Sequence, residues 1–544
     1  MMSLRTSHSV GALLLLLVAR GAPSAGRRRT GRWPARLEAR RAVGRPREPQ
    51  AEFGRRQATS GAQLLKLLAG DGVAHNKFGV SVSVSSDGAR VVVGAGYYYY
   101  DDESIQFGSA YVFDGTTGER LLKLVASDGA VFDEFGWLVA VSSDGARVVV
   151  GAVGDDDQGT NSGSAYVFDG TTGERLLKLV ASDGAGSDSF GYSAAVSSDG
   201  ARVVVGAVGD DDQGNNAGAV HVFEGTTGER LLKLVASDGA GSDNFGWSVA
   251  VSSDGARVVV GAYQDDDQGT NSGSAYVFDG TTGERLLKLV ASDGAGEDRF
   301  GWSVAVSSDG ARVVVGSHFD DDQGTNSGSA YVLDGTTGER LLKLVASDAG
   351  AFNLFGWSVA VSSDGARVVV GAYGYDDQGG SSGSAYVFNG TTGERLLKLV
   401  ASDGADQDRF GWSVAVSSDG ARVVVGSHFD DDQGTNSGSA YVFDFTEATN
   451  ETTTATTTKT ATTTTDTGTS SATSSTTTII TTTTETTTET TTATTTETAT
   501  TTTDTDHQDG HDDHRYEADA TTTTEPWGLT AVFAGVLIFF LLIL

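Results

Sequence analysis

Loops of the form DDDQGTNSG, as at 265–273, hold the densest chemistry in the chain. Runs of carboxylates followed by Gly, Asn and Ser are the oxygen donors that hard cations take. Acidic triplets recur at 155–157, 210–212, 265–267, 320–322 and 430–432. Consecutive residues of an extended chain point to opposite sides. One triplet therefore does not wrap one ion. A calcium site would draw on the outer members of each triplet: Asp155 and Asp157, Asp210 and Asp212, Asp265 and Asp267, Asp320 and Asp322, Asp430 and Asp432. It would add donors from a second loop, for example Asn271 with Asp243 or Asp298. Asp, Asn and Gly also build plain turns whose side chains bond local amides. Both readings, calcium and solvated turn, stand on the sequence.

Aromatic residues sit beside these acids. They are Tyr97, Tyr98, Tyr99 and Tyr100 in YYYYDDESIQ, then Tyr263, Phe319, Tyr373, Tyr375 and Phe429. Aromatics next to carboxylates on a rigid frame can stack on sugars or hold basic side chains. These residues are the expected ligand-binding set. Catalysis is not expected. There is no cysteine, no strand–turn–helix nucleophile elbow and no phosphate loop. Paired carboxylates can hydrolyse glycosides, but the repeated triplets mark out no pair.

The elements that position these loops are repeats. Phe-Gly recurs in register at 78, 135, 190, 245, 300, 355 and 410. One unit contains WSVAVS, RVVVGA, SAYVF and RLLKLVA. Each is short, apolar and bounded by Gly, Asp, Asn or Ser, the pattern of a β-strand. Four short strands repeated seven times predict an all-β, seven-bladed β-propeller of four-stranded antiparallel blades. The array begins with LLKL (64–67), a fourth strand, and ends with SAYVFD (439–444), a third strand. The N-terminal strand therefore completes the last blade and closes the ring. An open solenoid would need polar caps instead. SDGA and DGTTGE are expected on one face, and the DDDQGTNSG and SDGAGEDR loops on the other. Phe-Gly and the tryptophans Trp137, Trp247, Trp302, Trp357 and Trp412 are expected to pack between blades, with Gly permitting close approach.

Phe-Gly, then S-V-A-V, then V-V-G-A, then G-S-A-Y-V-F resembles the FG-GAP repeat. The resemblance covers about 64–444 and implies the propeller found at the head of integrin α subunits, with ligands taken on one face. The family's calcium site is an Asp-x-Asp-x-Asp-Gly loop between the first two strands. Here that connection is SSDGAR, as at 252–257. It has one Asp and too few oxygens for a 6–8-coordinate ion. That site is not carried over.

The ends read as addresses. Arg5 followed by VGALLLLLVA predicts a secretory signal at 1–25. Residues 26–60 form a basic propeptide or linker, or a second targeting signal. The first sixty residues carry thirteen Arg and three Glu, so a chain of net charge −33 has −43 beyond them. Such acidity argues against nucleic-acid partners. The propeller is expected at 61–445, as a monomeric head. Residues 446–526 are Thr-rich and predicted to be a disordered, O-glycosylated stalk. Asn389 and Asn450 head glycosylation sequons. His507, His511 and His514 lie in a hydrophilic stretch read as a flexible linker, with a transition-metal site as the alternative. The apolar run 527–544 fits a transmembrane helix or a glycosylphosphatidylinositol signal. Together these features suggest a membrane-anchored cell-surface adhesion or recognition protein that binds a protein or glycan, with or without calcium. The alternative is a structural coat or cell-wall glycoprotein without a specific ligand.

Overall fold

The computed structural model describes residues 60–96, 100–101, 104–105 and 108–446, and two segments at 456–463 and 479–486. The expected signal, most of the basic segment, Asn450, the histidine cluster and the C-terminal apolar run lie outside these residues. Among the described residues no helix is long and apolar enough to cross a membrane. The chain divides into units Met1–Ala448 and Thr449–Leu544.

The first unit is a seven-bladed propeller. Blade four shows the pattern, with strands Ser248–Val251, Arg257–Ala262, Ser274–Asp279 and Arg285–Leu289. They pair in chain order, all antiparallel. The second strand reads RVVV because both its faces are covered. Val258, Val259 and Val260 are fully buried, the odd and even valines facing opposite neighbouring blades. A strand sandwiched in this way loses the alternation of a half-exposed one. The outermost strand alternates: Leu286 is exposed and Leu289 buried.

Blade seven takes its outermost strand from the other end of the chain. Ser60–Leu67 pairs antiparallel with Ser439–Thr446, from Ser60↔Thr446 to Leu67↔Ala440. Around the axis, on the short-loop face, backbone amides form a closed ring. Ser86 donates to Ser143, which donates to Ser198, and so on through Ser253, Ser308, Ser363 and Ser418, which donates back to Ser86, at 2.9–3.2 Å. Each blade thus holds the next at its narrowest point.

Phe-Gly is the joint between blades. Phe245 N–H donates to Ala217 of the preceding blade, and Gly246 N–H to Gly261 of its own. In the next copy Gly301 has φ +92°, and a Cβ there would lie 2.1 Å from the Ser274 carbonyl oxygen. Only glycine meets both demands. Phe300 is fully buried, edge-on to Tyr331 at 5.3 Å.

In the second unit Thr456–Thr463 pairs antiparallel with Ile479–Thr486. Threonine and isoleucine are β-branched and favour extended backbone.

A chain beginning at residue 68 would leave the edge of the Ser439–Thr446 strand open and the core site of Leu67 empty. We expect it to lose about 3 kcal/mol or more and to melt at lower temperature than the intact chain by circular dichroism.

Candidate functional site

The long-loop face is organised by one lysine per blade. Lys288 lies between the inward Leu287 and Leu289 on an outermost strand, and its stem runs over Tyr276, with Nζ 5.2 Å from the ring centre. The ammonium reaches Asp265 at 3.0 Å, Asp267 at 2.5 Å and Asp238 at 3.2 Å. Asp238 belongs to the loop leaving blade three, so the contact also ties two blades. Arg285 takes the other oxygen of Asp238. The arrangement recurs with Lys178 on Asp155, Asp157 and Asp128. Lys233 holds Asp210, Asp212 and Asp183. Lys343 holds Asp320, Asp322 and Asp293. Lys66, from the N-terminal strand, holds Asp430, Asp432 and Asp403.

Each member of a triplet has its own task. Asp265 is buried and accepts from the Tyr276 hydroxyl at 2.8 Å as well as from Lys288. Asp266 accepts from the backbone N–H of Asn271, whose φ is +52°. Asp267 is half exposed and completes the lysine's shell. Burial alone would lower the Lys288 ammonium; its bonds to Asp267 and Asp265 outweigh that and raise it. Burial and the nearby Asp265 both push the Tyr276 phenol up.

The expected calcium donors Asp155, Asp157, Asp210, Asp212, Asp265, Asp267, Asp320, Asp322, Asp430 and Asp432 converge in pairs, blade by blade; the second-loop carboxylate beside Asp265 and Asp267 is Asp238 rather than the expected Asp243 or Asp298, and Asn271 bonds Glu297 instead. The set does not fit calcium. A lysine ammonium sits where the carboxylates converge and already supplies the positive charge, and the inner Asp is also committed to a tyrosine hydroxyl or a backbone amide. Among the described residues no group of three or more His, Asp or Glu is arranged for a metal. The SSDGAR connection is likewise a turn: Asp254 accepts from Ser252 Oγ and Ala256 N–H.

At the centre of the same face the residue after each Phe-Gly forms an aromatic collar. Trp137, Tyr192, Trp247, Trp302, Trp357 and Trp412 follow one another at 5.8, 4.5, 4.6, 4.6 and 4.6 Å between ring centres. Val80 takes the seventh place. They line the mouth of a cavity of about 200 Å³, with Ser248, Ser303, Ser358 and Ser413 beneath. The tryptophans meet the next blade, as expected, but at the axial opening rather than in the interblade core. The glycine at φ near +92° separates the two neighbours, so Phe enters the interblade core while Trp lines the axial opening.

A second tier stands behind the collar. Tyr263 packs between Trp247 and Trp302 at 4.5 and 4.8 Å, and Tyr373 between Trp357 and Trp412 at 4.7 and 5.0 Å. His318 takes the equivalent place between Trp302 and Trp357. Burial, with Arg299 nearby, holds His318 neutral, well below its ordinary range. Phe319 and Phe429 flank His318 and His428. Tyr375 is buried rather than displayed, a further correction. It stands in the register of Asp265, packs on Tyr386 and lies under Lys398. Tyr97, Tyr98 and Tyr99 lie outside the described residues. Tyr100 is described only as backbone, paired with Ile105. Asn389 caps its turn by accepting from Thr391 and Thr392 N–H. The sequence reading missed the lysines, the collar and Arg299 and Arg409, although an invariant Lys in an otherwise apolar RLLKL strand was a signal.

Seven repeated blades, the last completed by the strand Ser60–Leu67, with variation on one face, define a β-propeller scaffold. The chain belongs to the FG-GAP repeat family. The family's model matches seven times, at 62–113, 120–168, 175–223, 230–278, 285–333, 340–388 and 395–443. Each match runs from an outermost strand to the third strand of the next blade, the same offset that closes the ring. The architecture matches an integrin α-like N-terminal propeller. No curated protein matches the chain.

Lys288→Met would leave Asp265 buried without its cation. We expect a loss of about 3 kcal/mol by urea unfolding, partly restored by adding Asp265→Asn. Asp243 and Asp298 are each pushed up to about 6, by burial first and then by the acidic loop beside them. Each holds its proton more tightly folded than unfolded, so stability falls as pH rises from about 4 through 6. Blade six carries Asn353 at this position, accepting from Gly350 N–H as Asp243 accepts from Ala240 N–H. Asp243→Asn with Asp298→Asn should flatten the pH dependence of melting across that window.

Proposed function

We propose that this chain is a cell-surface recognition protein whose propeller is held out from a membrane by its Thr-rich segment. The long-loop face binds an extracellular glycan or protein. The observation that carries this reading is the aromatic collar around an open cavity at the centre of that face. Six aromatic side chains, each partly exposed at one mouth, are more apolar surface than a solvated propeller needs there. The acidic ring around the collar is held together by its lysines, Lys288 for example bonded to three carboxylates, so recognition is expected to proceed without calcium. The long-loop face also carries nearly all the variation among blades, while the short-loop face repeats the same turns.

The test is an array of glycans and extracellular protein domains probed with the full chain. Hits are expected with or without chelator. Trp302→Ala and Trp357→Ala should each weaken a hit about tenfold or more, as loss of a central aromatic anchor does. Hits indifferent to both substitutions, or silence across the arrays, would instead favour a structural coat role.

A further inference from the structure

Two blades carry a device that the others lack. The residue before Phe-Gly varies among the blades: Lys77, Glu134, Ser189, Asn244, Arg299, Leu354 and Arg409. Arginine occurs in blades five and seven, the two that also carry Ser-His-Phe after the second strand. The parts fit together. Arg299 lies over the Phe319 ring at 4.3 Å, and Arg409 over Phe429 at 4.2 Å. Both guanidinium groups also border the collar, about 6 Å from Trp302 and Trp412. Ser317 Oγ donates to the carbonyl of Asp298, and Ser427 Oγ to that of Asp408, each at 2.8 Å. That bond fixes the residue immediately before each arginine.

These stations lack what every clamp lysine has. The Nε of Arg299 and of Arg409 is buried with no hydrogen-bond partner among the described residues. Both ring nitrogens of His318 and Nδ1 of His428 are also unpartnered, in side chains 0 % and 2 % exposed. Buried polar groups are normally satisfied. An arginine stacked on an aromatic ring keeps its edge for a planar anion. Lys77 adds positive charge beside Arg409, offset in part by Glu134. A basic rim on a chain of net charge −33 runs against the overall composition.

We infer that Arg299 and Arg409 form two anion-reading stations at the edge of the collar, and that the ligand is an acidic sugar bearing carboxylate or sulfate groups. This rests on the recognition reading and sharpens it. A sugar is favoured over an acidic peptide because each guanidinium is paired with broad aromatic surface. A pyranose ring presents a C–H face to stack there while its charged substituent meets the arginine. Blade six lies between the stations and offers Leu354, Trp357 and Tyr373 as the apolar floor.

Calorimetry on the full chain tests this with four hexamers: an oligogalacturonate, a sulfated galactan, an uncharged galactan and hexaglutamate. One or both charged sugars should bind at least about tenfold more tightly than the uncharged one. Arg299→Gln with Arg409→Gln should abolish that advantage while leaving the melting temperature in place. Trp357→Ala should weaken all sugar binding. Equal binding of charged and uncharged sugars, lost in Trp357→Ala, would overturn the anion stations and keep the recognition reading. Binding of hexaglutamate alone would overturn the sugar assignment. Silence toward all four, together with silent arrays, would overturn both.

Discussion

The acidic face depends on the contact between one lysine of each outermost strand and the carboxylates of two loops. Without it, five Asp triplets and the interblade aspartates would crowd one side of a small ring with like charge. The lysine solves this locally. Its stem is covered by a tyrosine ring, its ammonium is mostly shielded from water, and its partners come from its own blade and from the loop leaving the previous one. The same contact therefore relieves the repulsion within a blade and joins it to its neighbour. Blade six shows how specific the arrangement is. With Tyr375 in place of the inner aspartate, Lys398 keeps Asp348 and Asp377 and rests on the new ring.

Two further constraints make the ring rigid enough to present a surface. The Phe-Gly joint locks adjacent blades through backbone bonds that only glycine's positive φ permits, and the serine amides close a second ring at the opposite end of the channel. The strand Ser60–Leu67 completes blade seven, so the Ser439–Thr446 strand is not left as a raw sheet edge. On this frame the second-tier position can change from valine to tyrosine to histidine without disturbing the core. Variation is thereby confined to the rim of the collar, where it alters what the face can recognise.

The fold was legible because the signal was repeated: 55-residue spacing, four short strands per unit and the offset between the two ends. The site was legible only in part. The acidic loops were found and correctly placed on one face, but their partner, Lys288, lies more than twenty residues away in sequence and meets them only when the third and fourth strands pair. The tryptophans were given the role of the phenylalanines two positions earlier, because spacing alone does not reveal a glycine at φ near +92°. Tyr375 looked like a surface aromatic, although its alignment with the inner aspartates of the other blades marked it as buried. Arg299 and Arg409 were hidden by the acidic composition of the loops that carry them.

Lysine ammonium groups, rather than metal ions, hold the carboxylates of the long-loop face together. Thermal unfolding of the full chain in calcium and in chelator, at matched ionic strength, tests it most directly. The account predicts the same melting temperature in both. A rise that saturates with calcium, and that magnesium does not reproduce, would contradict it.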